Sequence, residues 1–212
     1  MATYTDRLPD EWSQGPTGKA LVYVDRDPRW GSTQIVHKTY RPHDRKSKKQ
    51  IGIRALISFI FRQWYTLDET ERATWFDESY ARYPHGTADF LKIQLARWIA
   101  GNAPSRSYPA SEASVPIAIS SHTFTPGDHL TTLNLTPASA TNLWGFAIFR
   151  SPTEITTPDY TTCIAIIAEQ GNQSISYTDS PLPTGTYHYR AKTFNVDGTS
   201  GPTISDEQVT IF

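Results

Sequence analysis

Hydrophobic residues in this chain change their spacing near residue 115. Between residues 50 and 100 they recur every three or four positions, the period of amphipathic helices. From Val115 they alternate with polar residues in seven short runs separated by Pro, Gly, Asn and Asp. We therefore predict an α+β multidomain chain with four parts: an extended arm (1–45), a small three-helix domain (46–101), a linker rich in small and polar residues (102–114) and an all-β sandwich (115–212).

The helical domain is predicted to hold three helices that cover one another's apolar faces. Asp68, with Glu71 three residues later, forms a capping-box pattern that opens the second helix. Thr87 is the predicted cap of the third helix, and Gly101 is its predicted stop. Aromatic residues at helical spacing pack inward more often than they stack on ligands, so the helical tryptophans are predicted to be core residues. The three apolar stripes are Ile53, Leu56, Phe59, Ile60 and Trp64; Ala73, Phe76, Tyr80 and Tyr83; and Phe90, Leu91, Leu95, Trp98 and Ile99.

The last hundred residues carry a motif beyond simple alternation. The segment Tyr177–Ala191 reads YTDSPLPTGTYHYRA and resembles the E–F region of fibronectin type III domains. The resemblance implies a fibronectin type III-like sandwich whose tyrosine corner falls on Tyr187, with the hydroxyl bonded back to the E–F turn. Trp144 stands one strand later than the buried Trp of that family. Such a domain carries no chemistry by default and acts as a spacer, a lattice contact or an adhesion module.

A second resemblance lies in the helical domain. The pattern Trp64-x-x-Leu67-x-x-x-Glu71-Arg72-x-x-Trp75 resembles a helical segment that recurs in phage-associated structural proteins and in uncharacterised bacterial proteins. Phage capsid-decoration, neck and tail proteins often carry appended sandwiches, so the two resemblances together imply a component of a virus particle.

Charge is unevenly distributed although the formal net charge is −1. Residues 1–110 hold 17 Lys and Arg against 12 Asp and Glu, whereas residues 111–212 hold 3 against 9. A basic cluster, residues 45–49, is either a solvated helix start or a contact for phosphate or an acidic partner. The near-zero net charge gives no general indication of nucleic-acid binding.

The arm contains one apolar run, Ala20–Val24, which is predicted to be a lone strand in need of a sheet edge. The segment 1–45 is either a flexible tail or an arm that becomes ordered on a neighbouring subunit by adding a strand to its sheet. Its aromatic residues favour the second interpretation, because disordered tails are poor in aromatics. The predicted partner-binding residues are Trp12, Tyr23, Trp30, Arg45, Lys46, Lys48 and Lys49.

No catalytic, metal-binding or cofactor-binding motif is present in the sequence, so we expect no enzyme activity and no cofactor. The adjacent acidic pair Asp206-Glu207 is expected to diverge, and the single cysteine, Cys163, is expected to be an inert core residue. No run of residues is apolar and long enough to suggest a membrane span, and the N-terminus does not resemble a secretory signal.

These observations favour a non-catalytic structural protein of a virus-like particle, a tailed-phage virion component such as a capsid-decoration, neck or tail protein. Its arm and helices are expected to anchor it to other virion subunits or to copies of itself, displaying the sandwich, after assembly in the host cytoplasm. The alternative is a module that binds glycans or a host surface through Trp144 or Tyr160, which requires a row of exposed aromatics on one sheet face. Nucleic-acid binding through residues 45–54 is a weaker third hypothesis.

Overall fold

The computed structural model describes residues 21–24, 35–38, 47–75, 86–171 and 174–212. The chain divides into two compact units, residues 1–45 and 46–212. In the first unit, strand β1 (Leu21–Val24) pairs antiparallel with strand β2 (Ile35–Lys38). The prediction of a lone strand was therefore wrong, because a second short apolar run in the same unit supplies the partner.

Three helices lie in the described part of the second unit: α1 (Lys48–Trp64), α2 (Glu69–Ala73) and α3 (Gly86–Ile99). The predicted capping box at α2 is confirmed, since the Asp68 carboxylate accepts the Glu71 backbone N–H at 2.7 Å and the Glu71 carboxylate accepts that of Asp68 at 3.0 Å. Gly101 ends α3 with a φ of 90°, and Asn102 N–H donates to Arg97 C=O in the pattern of a Schellman motif.

Two helix boundaries differ from the prediction. The second helix was expected to reach Tyr83, but α2 ends at Ala73, and the Thr74 hydroxyl donates to the carbonyl of Glu71 at 2.7 Å. The remainder of that predicted stripe lies in residues 76–85, outside the described residues. Thr87 does not cap α3, because the helix already includes Gly86.

The C-terminal region forms two antiparallel sheets packed face to face. The strands are β3 (Ile119–Gly127), β4 (Leu130–Pro137), β5 (Leu143–Ser151), β6 (Cys163–Ala168), β7 (Ile175–Asp179), β8 (Gly185–Asn195) and β9 (Glu207–Ile211). One sheet has the order β3-β4-β7 and the other the order β6-β5-β8-β9. Seven strands are present, as predicted, although the first begins at Ile119 and not at Val115. Their order is that of an immunoglobulin-like sandwich.

The sandwich core contains apolar side chains that alternate along each strand. Leu133 and Leu135 of β4 face Phe146 and Ile148 of β5, and all four are fully buried. The tyrosine corner is also present, since the Tyr187 hydroxyl donates to the carbonyl of Pro183 at 3.0 Å.

A second core lies on the other face of the four-stranded sheet, where α1 and α3 pack. Strand β5 is consequently buried on both faces, in keeping with its nearly continuous apolar sequence, Leu143–Phe149. The unit from residue 46 to residue 212 thus has three layers, two sheets and a layer of helices.

The segment 102–114 is not a free linker between two domains. Gln94 of α3 is fully buried and exchanges two hydrogen bonds with the backbone of Ser105. Further along, Asp197 in the β8–β9 loop accepts the backbone N–H and the hydroxyl of Ser114, both at 2.8 Å. The structure therefore differs from the predicted two-domain arrangement, because this segment is pinned to both α3 and the sandwich.

Candidate functional site

The seven residues predicted to bind a partner fall in different parts of the chain. Lys48 and Lys49 occupy the exposed first turn of α1, directly after the capping residue Ser47. Tyr23 lies in strand β1 and pairs with Val36. Trp12, Trp30, Arg45 and Lys46 lie outside the described residues. The structure therefore brings together only the two lysines among the described members of this set.

The binding-module hypothesis requires a row of exposed aromatics on one sheet face. A row of aromatics lies on the outer side of the four-stranded sheet, but it is buried. We call Trp144, Phe149 and Phe194 the aromatic row. Phe59 of α1 packs edge-on against Trp144, with ring centroids 5.0 Å apart, and against Phe194 at 5.4 Å. Trp98 of α3 stacks on Phe149 at 6.4 Å. The helices therefore cover the aromatic row.

This burial removes Trp144 as a ligand-stacking residue. Its side chain is 2% exposed, and its ring N–H donates to the Gln63 side chain of α1 at 2.9 Å. A glycan stacked on Trp144 would first have to displace α1, so that part of the alternative hypothesis is wrong. Tyr160 is half-buried against the same helix–sheet core.

Gly52 sets how closely α1 approaches the sandwich. A Cβ built on this residue would lie 1.8 Å from the carbonyl oxygen of Tyr160 and 3.4 Å from that of Cys163. Both oxygens belong to backbone, which does not move aside as a flexible side chain does. A glycine is therefore needed at this contact, and the sequence pattern gave no sign of this.

Lys192 lies beside Phe149 of the aromatic row and is 9% exposed. Its ammonium lies 5.5 Å from the ring centre of Trp98 and 5.8 Å from that of Phe149. Burial lowers the pKa of Lys192. This lysine fills space between helix and sheet with its stem, so it belongs to the structural core rather than to an open site.

A charged cluster joins the two sheets of the sandwich. Arg150 of β5 donates to both carboxylate oxygens of Asp179, at 2.7 and 2.6 Å, and the Tyr189 hydroxyl donates to the same carboxylate at 2.9 Å. Burial lowers the pKa of Arg150, but the charge and hydrogen bonds of Asp179 outweigh it, and the pKa is raised overall. Burial and the Asp179 charge raise the pKa of Tyr189. All these groups satisfy one another, as in a structural clamp.

The acidic pair Asp206-Glu207 diverges as predicted. Asp206 lies 2.5 Å from the Nδ1 atom of His188, whereas Glu207 lies 3.2 Å from Nε2 of His122. Ser151 is the cross-strand neighbour of His188, which suggests a Ser-His-Asp relay at first sight. The Ser151 hydroxyl instead lies 3.2 Å from the Thr153 hydroxyl and accepts the Thr153 backbone N–H, so the relay is not formed.

Two further features bear on chemistry. Cys163 is buried, as predicted, and burial raises the pKa of its thiol to about 12, which keeps the thiol protonated and unreactive. Among the described residues, no group of His, Cys, Asp and Glu is arranged to hold a metal ion. Within the same part of the chain, no helix is long and apolar enough to span a membrane.

No protein-family model and no curated protein matches this sequence. Sixteen chains of solved structures match this chain, among them the following two. The spore cortex lytic enzyme SleM of Clostridium perfringens has 10% identity, with 45% of this chain and 28% of that chain covered and a TM-score of 0.33. The PKD domain of an M14-like peptidase from a Thermoplasmatales archaeon has 16% identity, with 47% and 98% covered and a TM-score of 0.33. Similarity this weak carries no functional inference, and the immunoglobulin-like assignment rests on the strand order of the chain itself.

Proposed function

We propose that this chain is a non-catalytic structural protein of a virus-like particle, a tailed-phage virion component with a capsid-decoration, neck or tail role. In this proposal residues 1–45 anchor the protein to another virion subunit or to another copy. The helices, which the sequence assigned to the anchor, belong instead to the displayed body because they pack on the sandwich. Residues 46–212 form the body that the particle displays. Assembly takes place in the host cytoplasm.

The observation that carries the proposal is the size of the hairpin in the first unit. Strands β1 and β2 have four residues each and form a two-stranded sheet. A hairpin this small is at best marginally stable in water unless a further surface supports it. Because an unpaired strand edge readily accepts another strand, we propose that a neighbouring subunit provides that support.

The body is suited to display because several of its aromatic and charged groups are engaged internally. The aromatic row supports α1 and α3, Asp179 joins the two sheets, and Asp197 holds the segment 102–114. We further propose that the sandwich is of the fibronectin type III kind, which its strand order and the Tyr187 corner support.

The test is incorporation into particles of a chain lacking residues 1–45, produced together with all the other particle proteins. We expect the truncated chain to fold, because residues 46–212 form a compact unit, and to be absent from purified particles. Normal incorporation would refute the anchor assignment.

A point substitution gives a finer test within the hairpin. Tyr23→Pro removes a backbone N–H from β1. The matched variant Tyr23→Thr keeps that N–H, and threonine also has a high strand propensity. Incorporation should fall sharply for the proline variant and much less for the threonine variant. Equal incorporation of the two variants would show that strand pairing by β1 is not the anchor.

A further inference from the structure

A cavity of about 190 Å³ lies where the first turn of α1 meets the end of β5 and the start of β6. Lys48 and Ile51 of α1 border it, and so do Arg150 and Pro152 at the end of β5. We call it the α1 cavity. Among the described residues that line it, none is Asp or Glu, although residues 111–212 contain nine acidic residues against three basic ones. The charge of its wall is therefore opposite to that of the sandwich as a whole.

Arg150 offers hydrogen-bond donors to this cavity beyond those that it uses in the sandwich. Both of its hydrogen bonds to Asp179 are donated by Nη1, at 2.7 and 2.6 Å, so the N–H groups of Nε and Nη2 lie outside that ion pair. The guanidinium carbon lies 5.6 Å from the ring centre of Tyr187, another residue of the cavity wall, and this contact helps to hold the guanidinium in place. A fixed, planar guanidinium is well suited to binding a carboxylate.

Lys48 supplies the net charge of the α1 cavity. Asp179 neutralises Arg150, whereas Lys48 is exposed and forms no ion pair within the described part of the chain. The hydroxyls of Thr161 and Tyr187, which also line the cavity, already donate to acceptors elsewhere. A ligand in the cavity is therefore bound by the two cationic side chains, with one positive charge not yet balanced.

Much of the remaining wall is apolar and includes Ile51, Pro152 and Ile164. Ligand sites commonly combine such a wall with a few polar groups that fix the orientation of the ligand. A volume of 190 Å³ is below the roughly 300–1,000 Å³ of sites for drug-sized molecules, so the ligand is about the size of one side chain. A carboxylate on a short aliphatic stem matches both the cationic and the apolar parts. A phosphate has no apolar part and accepts more hydrogen bonds than the two cations provide.

We propose that the α1 cavity binds a carboxylate carried on a short aliphatic stem, the chemistry of a glutamate side chain presented by a neighbouring subunit. Arg150 and Lys48 bind the carboxylate, and Ile51 and Pro152 contact the stem. The neighbouring subunit as the source of this side chain rests on the proposed function. The preference for a carboxylate rests on the cavity alone.

Propionate is the probe, because it reproduces the end of a glutamate side chain, and propionamide is its neutral isostere. Each is titrated into the full-length protein at constant ionic strength, and the amide resonances of Ile51 and Thr162 beside the cavity are followed by NMR. The test variant is Lys48→Gln, and the matched control is Lys49→Gln. Both lysines are exposed in the first turn of α1, but only Lys48 borders the cavity.

We expect saturable, millimolar binding of propionate at these amides and none of propionamide. Lys48→Gln should weaken the binding about fivefold, and Lys49→Gln should change it less than about twofold. Equal shifts with propionate and propionamide would overturn the proposal, as would the absence of saturable shifts or an equal loss in the two variants. Inorganic phosphate that binds more tightly than propionate at the same amides would overturn the assignment to a carboxylate. Normal incorporation of the chain lacking residues 1–45 would refute the anchor and leave these binding results unchanged.

Discussion

Replacing Gly52 by alanine should destabilise the protein, although the residue lies inside a helix. In an isolated helix the change is favourable by about 1 kcal/mol, because alanine has the higher helix propensity. Here the new methyl group would lie 1.8 Å from the carbonyl oxygen of Tyr160, well inside the 3.4 Å at which ordinary contact begins. Relief requires α1 to move away from the sheet by more than an ångström.

That movement would disturb the contacts that bury the aromatic row. Phe59 would lose its edge contacts with Trp144 and Phe194, and the hydrogen bond from Trp144 to Gln63 would lengthen. Overpacking in a core costs about 1–3 kcal/mol and sometimes more. Because the overlap is severe, we take the upper end of this cost, about 3 kcal/mol. The higher helix propensity of alanine offsets about 1 kcal/mol of it, so the free energy of unfolding should fall by about 2 kcal/mol.

Thermal and urea unfolding of the full chain provide the assay. A loss of about 2 kcal/mol lowers Tm by about 4–8 °C in a domain of this size. Ser58→Ala, at an exposed position of the same helix, is the matched control and should be neutral or slightly stabilising. If Gly52→Ala proves as stable as the unmodified chain, α1 does not make the close approach to the sheet described above.

Three further results are expected. Burial alone would raise the pKa of Asp197, but hydrogen bonds from Ser114 and Thr199 outweigh it and lower the pKa to about 2. The ionised carboxylate therefore stabilises the folded state above about pH 4, and this stabilisation is lost as the pH falls toward about 2. Acid unfolding of Asp197→Asn should therefore depend less on pH in that range, while Asp128→Asn, at a fully solvated turn, should match the unmodified chain. Tyr187→Phe should lower the free energy of unfolding in urea by about 1 kcal/mol, because the hydrogen bond to the Pro183 carbonyl is lost. An unchanged urea midpoint would show that the tyrosine corner does not stabilise the protein. Cys163 should react with a thiol reagent at the rate of unfolding, and fast labelling of the native protein would contradict its burial.

Local signals in the sequence predicted several features correctly. The Asp68–Glu71 capping box, the stop at Gly101 and the Tyr187 corner each depend on residues within a few positions of one another. The seven strands follow from alternation over short runs. Such features are encoded locally and need no knowledge of the tertiary fold.

Long-range packing accounts for what the sequence pattern missed. The apolar faces of α1 and α3 are predicted to cover one another, but a large part of these faces packs on β5, β6 and β8. The sequence of β5 does indicate this packing, because a strand that is almost entirely apolar is typically buried on both faces. The segment 102–114 has the composition of a linker, but Ser114 is held by Asp197, 83 positions away.

The claim on which this account depends is that the helices and the sandwich form one cooperative unit, with the aromatic row closed inside it. Hydrogen exchange of the full chain, resolved by residue, tests this claim most directly. We predict that the central amides of α1 and α3 open with the same free energy as those of β5 and β8, because the helices and the outer side of the four-stranded sheet share one core. Helical amides that exchange far more readily than those of β5 would contradict the account, since the helices would then leave the sheet and expose Trp144 in the native protein.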